Sequence, residues 1–207
     1  MALLNWIVPA NCGTGLARRT ALGWVALLSL TLTLTSRAAP PAPPISETEV
    51  KADYLFLFTK YVEWPPSSFA DTNRPVVVAV LGDDELAAAL ERRVAGRITQ
   101  GGRQISVLRA RRPADLDTCH IAFIGQEDRR VARETIESLR GRAVLTVCDQ
   151  DGLFAQGLMI KFLLNAGSVR FEVKLDPVER AKLNIHSGML GAAQRVWPKS
   201  RSSLEPP

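Results

Sequence analysis

Residues 50–65 read VKADYLFLFTKYVEWP, and the interpretation of the whole chain starts from this stretch. Ser46 and Glu49 overlap its start as an S-x-x-E capping box, a pattern that opens helices. Pro65 and Pro66 then forbid continuation of a helix. Between these limits, apolar and aromatic residues recur at helical spacing on one side, at Val50, Tyr54, Leu57, Phe58 and Tyr61. The stretch therefore predicts a helix that must bury an aromatic face.

Short apolar runs and helical patterns alternate after this opening. Strands are predicted at residues 76–81, 105–110, 120–124 and 143–148. A first helix is predicted at 86–94 and a second at 127–140, stopped by Gly141. The second helix is expected to face inward through Val131, Ala132, Thr135, Ile136 and Leu139. Buried strands that alternate with helices indicate a mostly parallel sheet covered on both faces.

The last third of the chain follows a different pattern. Residues 159–164 and 168–175 flank the turn sequence Asn165-Ala-Gly, and the second arm alternates apolar with charged residues. This pattern predicts an antiparallel hairpin with one face in water. The predicted fold class is therefore α/β: a single domain with a mostly parallel sheet flanked by helices and an antiparallel C-terminal hairpin.

Two short helices are expected after the hairpin. Asp176 and Pro177 are typical of the N-cap and first position of a helix, which would run to Leu183. Ser187 is expected to cap a final helix that ends before Trp197.

The N-terminal segment has the composition of a secretory signal peptide. Arg18 and Arg19 precede an apolar run at 21–34, and Ser36-Arg37-Ala38 offers a small-x-small cleavage site. An uncleaved membrane anchor is the alternative, although the run is short for a membrane span. The expected division is a signal peptide at 1–38, a Pro-rich linker at 39–45, a domain at 46–198 and a disordered tail at 199–207.

Charge and motifs exclude several classes of function. Removal of the leader lowers the net charge from +5 to +2, because residues 1–38 carry three arginines and no acidic residue. The remaining basic cluster at 109–112 has no interleaved aromatic residues, so no nucleic-acid partner is expected. The LGDDEL segment lacks the G-x-G-x-x-G pattern and places carboxylates where a pyrophosphate would bind, so Asp83 is interpreted as an N-cap.

Candidates for catalysis and metal binding are equally few. The chain has two histidines, His120 and His186. Cys119 and His120 are neighbours on a strand and point to opposite faces, so they cannot form a thiolate–imidazole pair. The segment 149–152, Asp-Gln-Asp-Gly, is interpreted as a turn because its glycine is misplaced for a calcium loop. We predict no catalytic, cofactor-binding or metal site.

Three side chains are candidates for partner binding. Leu153 and Phe154 lie in the loop 149–157 at the carboxyl end of a strand, and loops of this kind often carry function. The alternative is that Phe154 folds back as a lid on the sheet edge. Trp64 is either a plug for the sheet edge or an interface anchor. We predict Phe154, Leu153 and Trp64 as partner-binding residues, with the core alternatives open.

Several strings, in this order and spacing, resemble the YfiR-like family of periplasmic proteins. They are the opening helix, LGDDELAAAL, CHIAFIG, AVLTVCD and FEVKLDPVERAKLNIHSGMLGAA, and together they cover most of the chain after residue 46. The resemblance implies a regulator that binds the periplasmic sensor region of an inner-membrane diguanylate cyclase and represses it. Cyclic di-GMP and biofilm formation would fall as a result. The resemblance also implies a homodimer and an outer-membrane lipoprotein as a further partner.

Two other classes of function stay open. A periplasmic small-ligand-binding module would use the crevice at the carboxyl ends of the strands, near Gly82, Gly125 and Asp149. An uncharacterised hydrolase is the third possibility. Neither has a motif of its own in the sequence.

The family resemblance also bears on the cysteines. Family members can carry two disulfides, and the cysteine resembling Cys148 pairs with one in the next loop, where this chain has residues such as Phe154 and Ala155. Cys119 precedes its strand and Cys148 closes its own. In a parallel pair they would lie more than about 10 Å apart, beyond the Cα reach of a disulfide, about 7 Å. We predict two unbridged thiols.

Overall fold

The computed structural model describes residues 46–69, 71, 73–125, 128–165 and 167–198. The predicted signal peptide, linker and tail lie outside the described residues. The helices are α1 (Glu47–Tyr61), α2 (Asp84–Val94), α3 (Arg129–Leu139), α4 (Asp151–Ala155), α5 (Leu175–Arg180) and α6 (Ser187–Ala192). The strands are β1 (Val62–Glu63), β2 (Val76–Leu81), β3 (Ile105–Ala110), β4 (Ile121–Ile124), β5 (Leu145–Cys148), β6 (Ile160–Asn165), β7 (Ser168–Lys174), β8 (Asn184–Ile185) and β9 (Arg195–Trp197).

Seven of these strands form one sheet in the order β3-β2-β4-β5-β6-β7-β9. Neighbours are parallel from β3 to β6, whereas β6 and β7 form an antiparallel hairpin and β9 runs parallel to β7. Strands β1 and β8 pair antiparallel as a separate small sheet. The predicted α/β class, with its mostly parallel sheet and C-terminal hairpin, is confirmed.

Two apolar cores lie on opposite faces of this sheet, because successive side chains of a strand alternate between faces. On the α1 and α2 side the strands contribute Val78, Val80, Ile121, Phe123, Leu145 and Val147. On the α3 side they contribute Ala79, Leu81, Ala122, Ile124 and Cys148. All of these residues are buried, which explains why the strands read as continuous apolar runs.

Helix α1 is buried on more than its predicted face. Tyr54 and Phe58 pack on the hairpin, with ring centroids 5.3 and 5.4 Å from that of Phe171. Leu55 and Phe56, which lie off the predicted face, are also buried, and α2 packs against α1. The predicted aromatic face therefore packs on the core as expected, and contact with a second helix buries a further side of α1.

The start of α1 is also only partly as predicted. Ser46 Oγ accepts a hydrogen bond from the Glu49 N–H at 3.2 Å, as in a capping box. The Glu49 carboxylate, however, pairs with Arg92 of α2 at 2.6 Å. By contrast, Asp83 caps α2 as predicted, since its Oδ1 accepts from the Leu86 N–H at 2.8 Å.

Other boundaries differ where tertiary contacts outweigh local preference. Helix α3 and strands β4 and β5 begin one or two residues later than predicted. Helix α5 runs from Leu175 to Arg180. Strand β7 continues to Lys174, whose N–H donates to Met159 O, so the helix starts directly after the hairpin. The N-cap of α6 is His186, whose Nδ1 accepts from the Gly188 N–H at 3.1 Å.

Two segments have a different type of structure from the one predicted. The segment 149–152, interpreted as a turn, leads into α4. Residues 195–197 extend the sheet as β9, in register with β7 through Glu172 and Arg195. The side of β7 that faces away from β6 has free backbone hydrogen-bonding groups for another strand to pair with. Strand β9 pairs there, and the Gln194 N–H, directly before β9, donates to Phe171 O.

Candidate functional site

The C-terminal hairpin has one face that packs on α1 and a second face that points away from α1. Phe162 and Phe171 lie opposite each other on β6 and β7 and face α1, so their neighbours along each strand face away from it. The strand register with β9 places Arg195 and Trp197 on this second face. We call it the hairpin face, formed by Lys161, Leu163, Arg170, Glu172, Lys174, Arg195 and Trp197.

An ion pair lies at the centre of the hairpin face. Lys161 and Glu172 are direct cross-strand partners, with Nζ and Oε2 3.4 Å apart, and each side chain is only 11% exposed. Lys161 Nζ also lies 2.7 Å from Asp151 Oδ1 of α4. Trp197 Nε1 donates to Glu172 Oε2 at 3.3 Å. The sequence pattern placed Glu172 in water, and that prediction was wrong.

The charge state of this cluster follows from its contacts. Burial alone lowers the pKa of Lys161, but Asp151 and Glu172 outweigh this effect and raise it above its usual value. Burial lowers the pKa of Lys174, and the nearby Lys161 charge acts in the same direction. Lys161 is thus held as a cation at the centre of the face.

Phe154 lies beneath this cluster. Lys174 Nζ donates to Phe154 O at 2.7 Å and lies 4.2 Å from the centroid of its ring. Lys161 Nζ approaches the same ring at 5.2 Å. Leu153 and Phe154 are 4% and 5% exposed and belong to the core on the α3 side. This burial is the placement that the core alternative requires. Direct binding of a partner by Leu153 and Phe154 stays a prediction.

Trp64 occupies a different place. It is half-buried against the core on the α1 side, and its Nε1 donates to His120 O at 3.1 Å. The indole thus closes the amino end of β4, as in the plug alternative. Because Phe154 belongs to the core on the α3 side, the structure does not bring the predicted partner-binding residues together.

His120 sits beside Trp64 in an aromatic stack. Its ring lies 4.6 Å from the ring of Phe69, nearly parallel, and meets Trp64 edge-on at 6.0 Å. Its Nδ1 accepts from the Val77 N–H at 3.1 Å, and its Nε2 has no hydrogen-bond partner among the described residues. Burial lowers the pKa of His120, and the charges of Arg103 and Arg74 act in the same direction, whereas the Ser68 backbone opposes them.

This burial predicts an acid-sensitive fold. An unfolded histidine has a pKa of about 6.5, so with the lowered pKa of His120 in the fold the unfolded chain binds the proton more readily. The stability that the neutral His120 contributes should be fully present above about pH 6.5. Below that pH the free energy of unfolding should decrease, until the pH falls below the folded pKa. Urea unfolding of wild type and His120→Asn, which keeps a side-chain acceptor but does not titrate, measures this. A pH dependence of equal size in both proteins would contradict the prediction.

Comparison with known proteins settles the family. Residues 48–194 match the model of the YfiR/HmsC-like family. This chain belongs to the YfiR/HmsC-like family. That membership supports a regulatory context in cyclic di-GMP signalling, in a family of periplasmic and generally non-enzymatic proteins. None of the helices in the described ranges is long and apolar enough to cross a membrane.

A more distant likeness connects this YfiR/HmsC-like protein to a solved structure. The crystal structure of a conserved domain protein from Vibrio cholerae O1 biovar El Tor is 11% identical, with a TM-score of 0.45. The match covers 73% of this chain and 60% of the other one. The likeness is too distant to carry a functional conclusion.

The cysteines of this YfiR/HmsC-like protein lie at opposite ends of neighbouring strands. Cys148 pairs in register with Ile124 at the end of β4, whereas Cys119 precedes the start of β4. Both are buried free thiols, and burial raises the pKa of each to about 12. Thiols of this kind are not nucleophiles at neutral pH. No group of three or more potential metal ligands occurs among the described residues.

Two residues of the crevice considered for a small ligand are in close contact with other parts of the protein. A Cβ atom at Gly125 would lie 2.8 Å from the Phe123 ring. Asp149 pairs with Lys51 of α1 at 2.9 Å, and Lys51 also contacts Glu47. Burial lowers the pKa of Lys51, but both carboxylates outweigh this and raise it. The ion pair therefore joins α1 to the end of β5 at the place where a ligand was considered.

Proposed function

We propose that this protein represses an inner-membrane diguanylate cyclase by binding its periplasmic sensor region, which lowers cyclic di-GMP. The observation that carries the proposal is the match to the YfiR/HmsC-like family over residues 48–194. The expected signal peptide at 1–38 supports a periplasmic location. The homodimer and the outer-membrane lipoprotein partner are proposed on the family resemblance alone.

Repression of this kind works through differential binding. A regulator shifts a cyclase toward its inactive state only as far as it binds that state more tightly than the active one. Release of the regulator, or its capture by another partner, would return the cyclase to its active state.

We propose the hairpin face as the surface that contacts the cyclase. Its cations are Lys161, Arg170, Lys174 and Arg195, against the carboxylates of Glu172 and the adjacent Asp151. Trp197 is 39% exposed on the edge strand, and the Arg195 guanidinium lies 4.8 Å from its ring centroid. Tryptophan and arginine are typical of interface hot spots. The surplus of positive charge suits an acidic patch on the partner.

The sequence-predicted residues have separate roles in this proposal. Leu153 and Phe154 hold α4 and the lysines in place from beneath, so their effect on the partner is indirect. Trp64 would make a separate contact, on the α1 side. Leu164 is more exposed than Trp197, at 62%, and its direct partner Val169 belongs to the α1 side, so it offers a matched control.

Deletion of the gene should raise cyclic di-GMP in a strain that expresses the partner cyclase. Reintroduction of the wild-type gene should return cyclic di-GMP to its original level. Trp197→Ala should weaken binding to the isolated sensor region by about 2 kcal/mol and restore repression poorly. Because this variant also loses the hydrogen bond to the buried Glu172 carboxylate, its binding is compared at a temperature at which it is fully folded. Leu164→Ala should bind and repress as wild type does.

Two outcomes would count against these proposals separately. Unchanged cyclic di-GMP after deletion would rule out repression. Normal repression by a folded Trp197→Ala protein would rule out the hairpin face while leaving repression intact.

A further inference from the structure

A cavity of about 480 Å³ opens near the amino ends of β5 and β6, on the side of α3 and α5. This volume is within the range of pockets that bind small molecules. Its apolar wall is formed by Ile136, Leu139, Leu158, Met159 and Pro177. All five are buried, so the wall is supported from behind by the two cores.

Two arginines line this apolar cavity. Arg140 follows the end of α3, and Arg180 is the last residue of α5. Arg140 has only an exposed pair with Glu137 at 3.0 Å, and exposed pairs contribute little. Arg180 has no ion pair among the described residues. Among the described residues that line the cavity, the charged ones are these two cations.

A structural role explains each arginine alone but not both together. A cation near a helix C-terminus is favourable because of the helix dipole, and both arginines lie at such ends. The helix dipole does not explain why two helices that are distant in sequence place their cations at the same cavity. Arginine binds carboxylates through paired N–H groups, and both Arg140 and Arg180 are exposed at the rim of the cavity, where those groups are accessible to a ligand.

A third polar group lies in the wall. Thr146 is 8% exposed and lines the cavity, and its Oγ1 accepts from the Met159 N–H at 3.1 Å. That bond uses the oxygen as an acceptor, and the structure assigns no acceptor to the hydroxyl hydrogen within the described residues. The hydroxyl can therefore donate to a bound anion.

We propose that this cavity binds an amphipathic organic carboxylate. The apolar part of the ligand lies against the wall, and its carboxylate pairs with Arg140 and Arg180. This site is separate from the hairpin face, and its existence does not depend on the cyclase proposal. It also differs in place and in lining from the crevice at the carboxyl ends of the strands.

Decanoate is a suitable probe, with decylammonium as the matched cation of the same chain length. Calorimetry below the micelle concentration, on protein purified from the periplasm, should show saturable binding of decanoate and none of decylammonium. Arg140→Ala/Arg180→Ala should weaken decanoate binding at least tenfold. Arg133→Ala removes an exposed arginine of α3 that does not line the cavity, and this control should bind as wild type does.

A second readout locates the ligand. Decanoate should slow amide hydrogen exchange in residues 156–159 and 139–141, which line the cavity from two sides. Absence of saturable binding would overturn the proposal. Equal binding of decylammonium, or an unchanged affinity in a folded double variant, would also overturn it, because either result removes the role of the arginines.

Discussion

Phe154→Ala should lower the free energy of unfolding by about 3–5 kcal/mol, the usual cost of deleting a buried phenylalanine ring. The side chain is 5% exposed and supports Lys161 and Lys174 from beneath. Its loss leaves a cavity and removes two cation–π contacts. Urea unfolding of the variant measures the effect directly.

A matched pair of variants separates stability from partner contact. Phe154→Leu keeps most of the apolar volume and should cost much less than the alanine variant. Leu164→Ala, at an exposed position, should cost almost nothing. A Phe154→Ala protein as stable as wild type but impaired in cyclase binding would instead make Phe154 a direct interface anchor.

Lys161→Met should lower the free energy of unfolding by about 3 kcal/mol, because it leaves the Glu172 carboxylate buried without its cation. The double variant Lys161→Met/Glu172→Gln should recover most of that loss. Its glutamine is neutral and still offers an oxygen to Trp197 Nε1. A double-mutant cycle by urea unfolding measures the coupling between the two side chains.

The double variant provides the decisive comparison. If it is no more stable than Lys161→Met alone, the negative charge of Glu172 is not the source of the loss. If Lys161→Met is itself within about 0.5 kcal/mol of wild type, then water or the nearby Lys174 compensates the Glu172 carboxylate, and the centre of the hairpin face is more hydrated than its 11% exposure indicates.

Most strands of the large sheet could be predicted because each of them is a local pattern. Continuous apolar runs such as 76–81 indicate strands buried on both sides, and alternation in 168–175 indicates a hairpin arm. Contacts between distant segments carry no such pattern. The burial of Leu55 and Phe56 depends on α2, and β1 finds β8 through only two residue pairs. Neither contact has a signal in the sequence around it.

The candidate site shows the same limit. The composition of 149–157 suits a core lid and an interface equally well, so only packing could place Phe154. The Lys161–Glu172 pair could have been found, because the register of a short hairpin fixes which residues face each other. The exposure of Trp197 could not, since β9 exists only through its pairing with β7.

The position of α1 has a consequence for the order of folding. Although α1 is the first helix of the domain, it packs on one of the last strands, and the Tyr54 hydroxyl donates to Val169 O across 115 residues of sequence. Contacts this distant in sequence slow folding, because a long loop must close before they form. The aromatic face of α1 therefore stays exposed until residues 168–174 are available. A chain that lacks β7 should remain unfolded and sensitive to proteases.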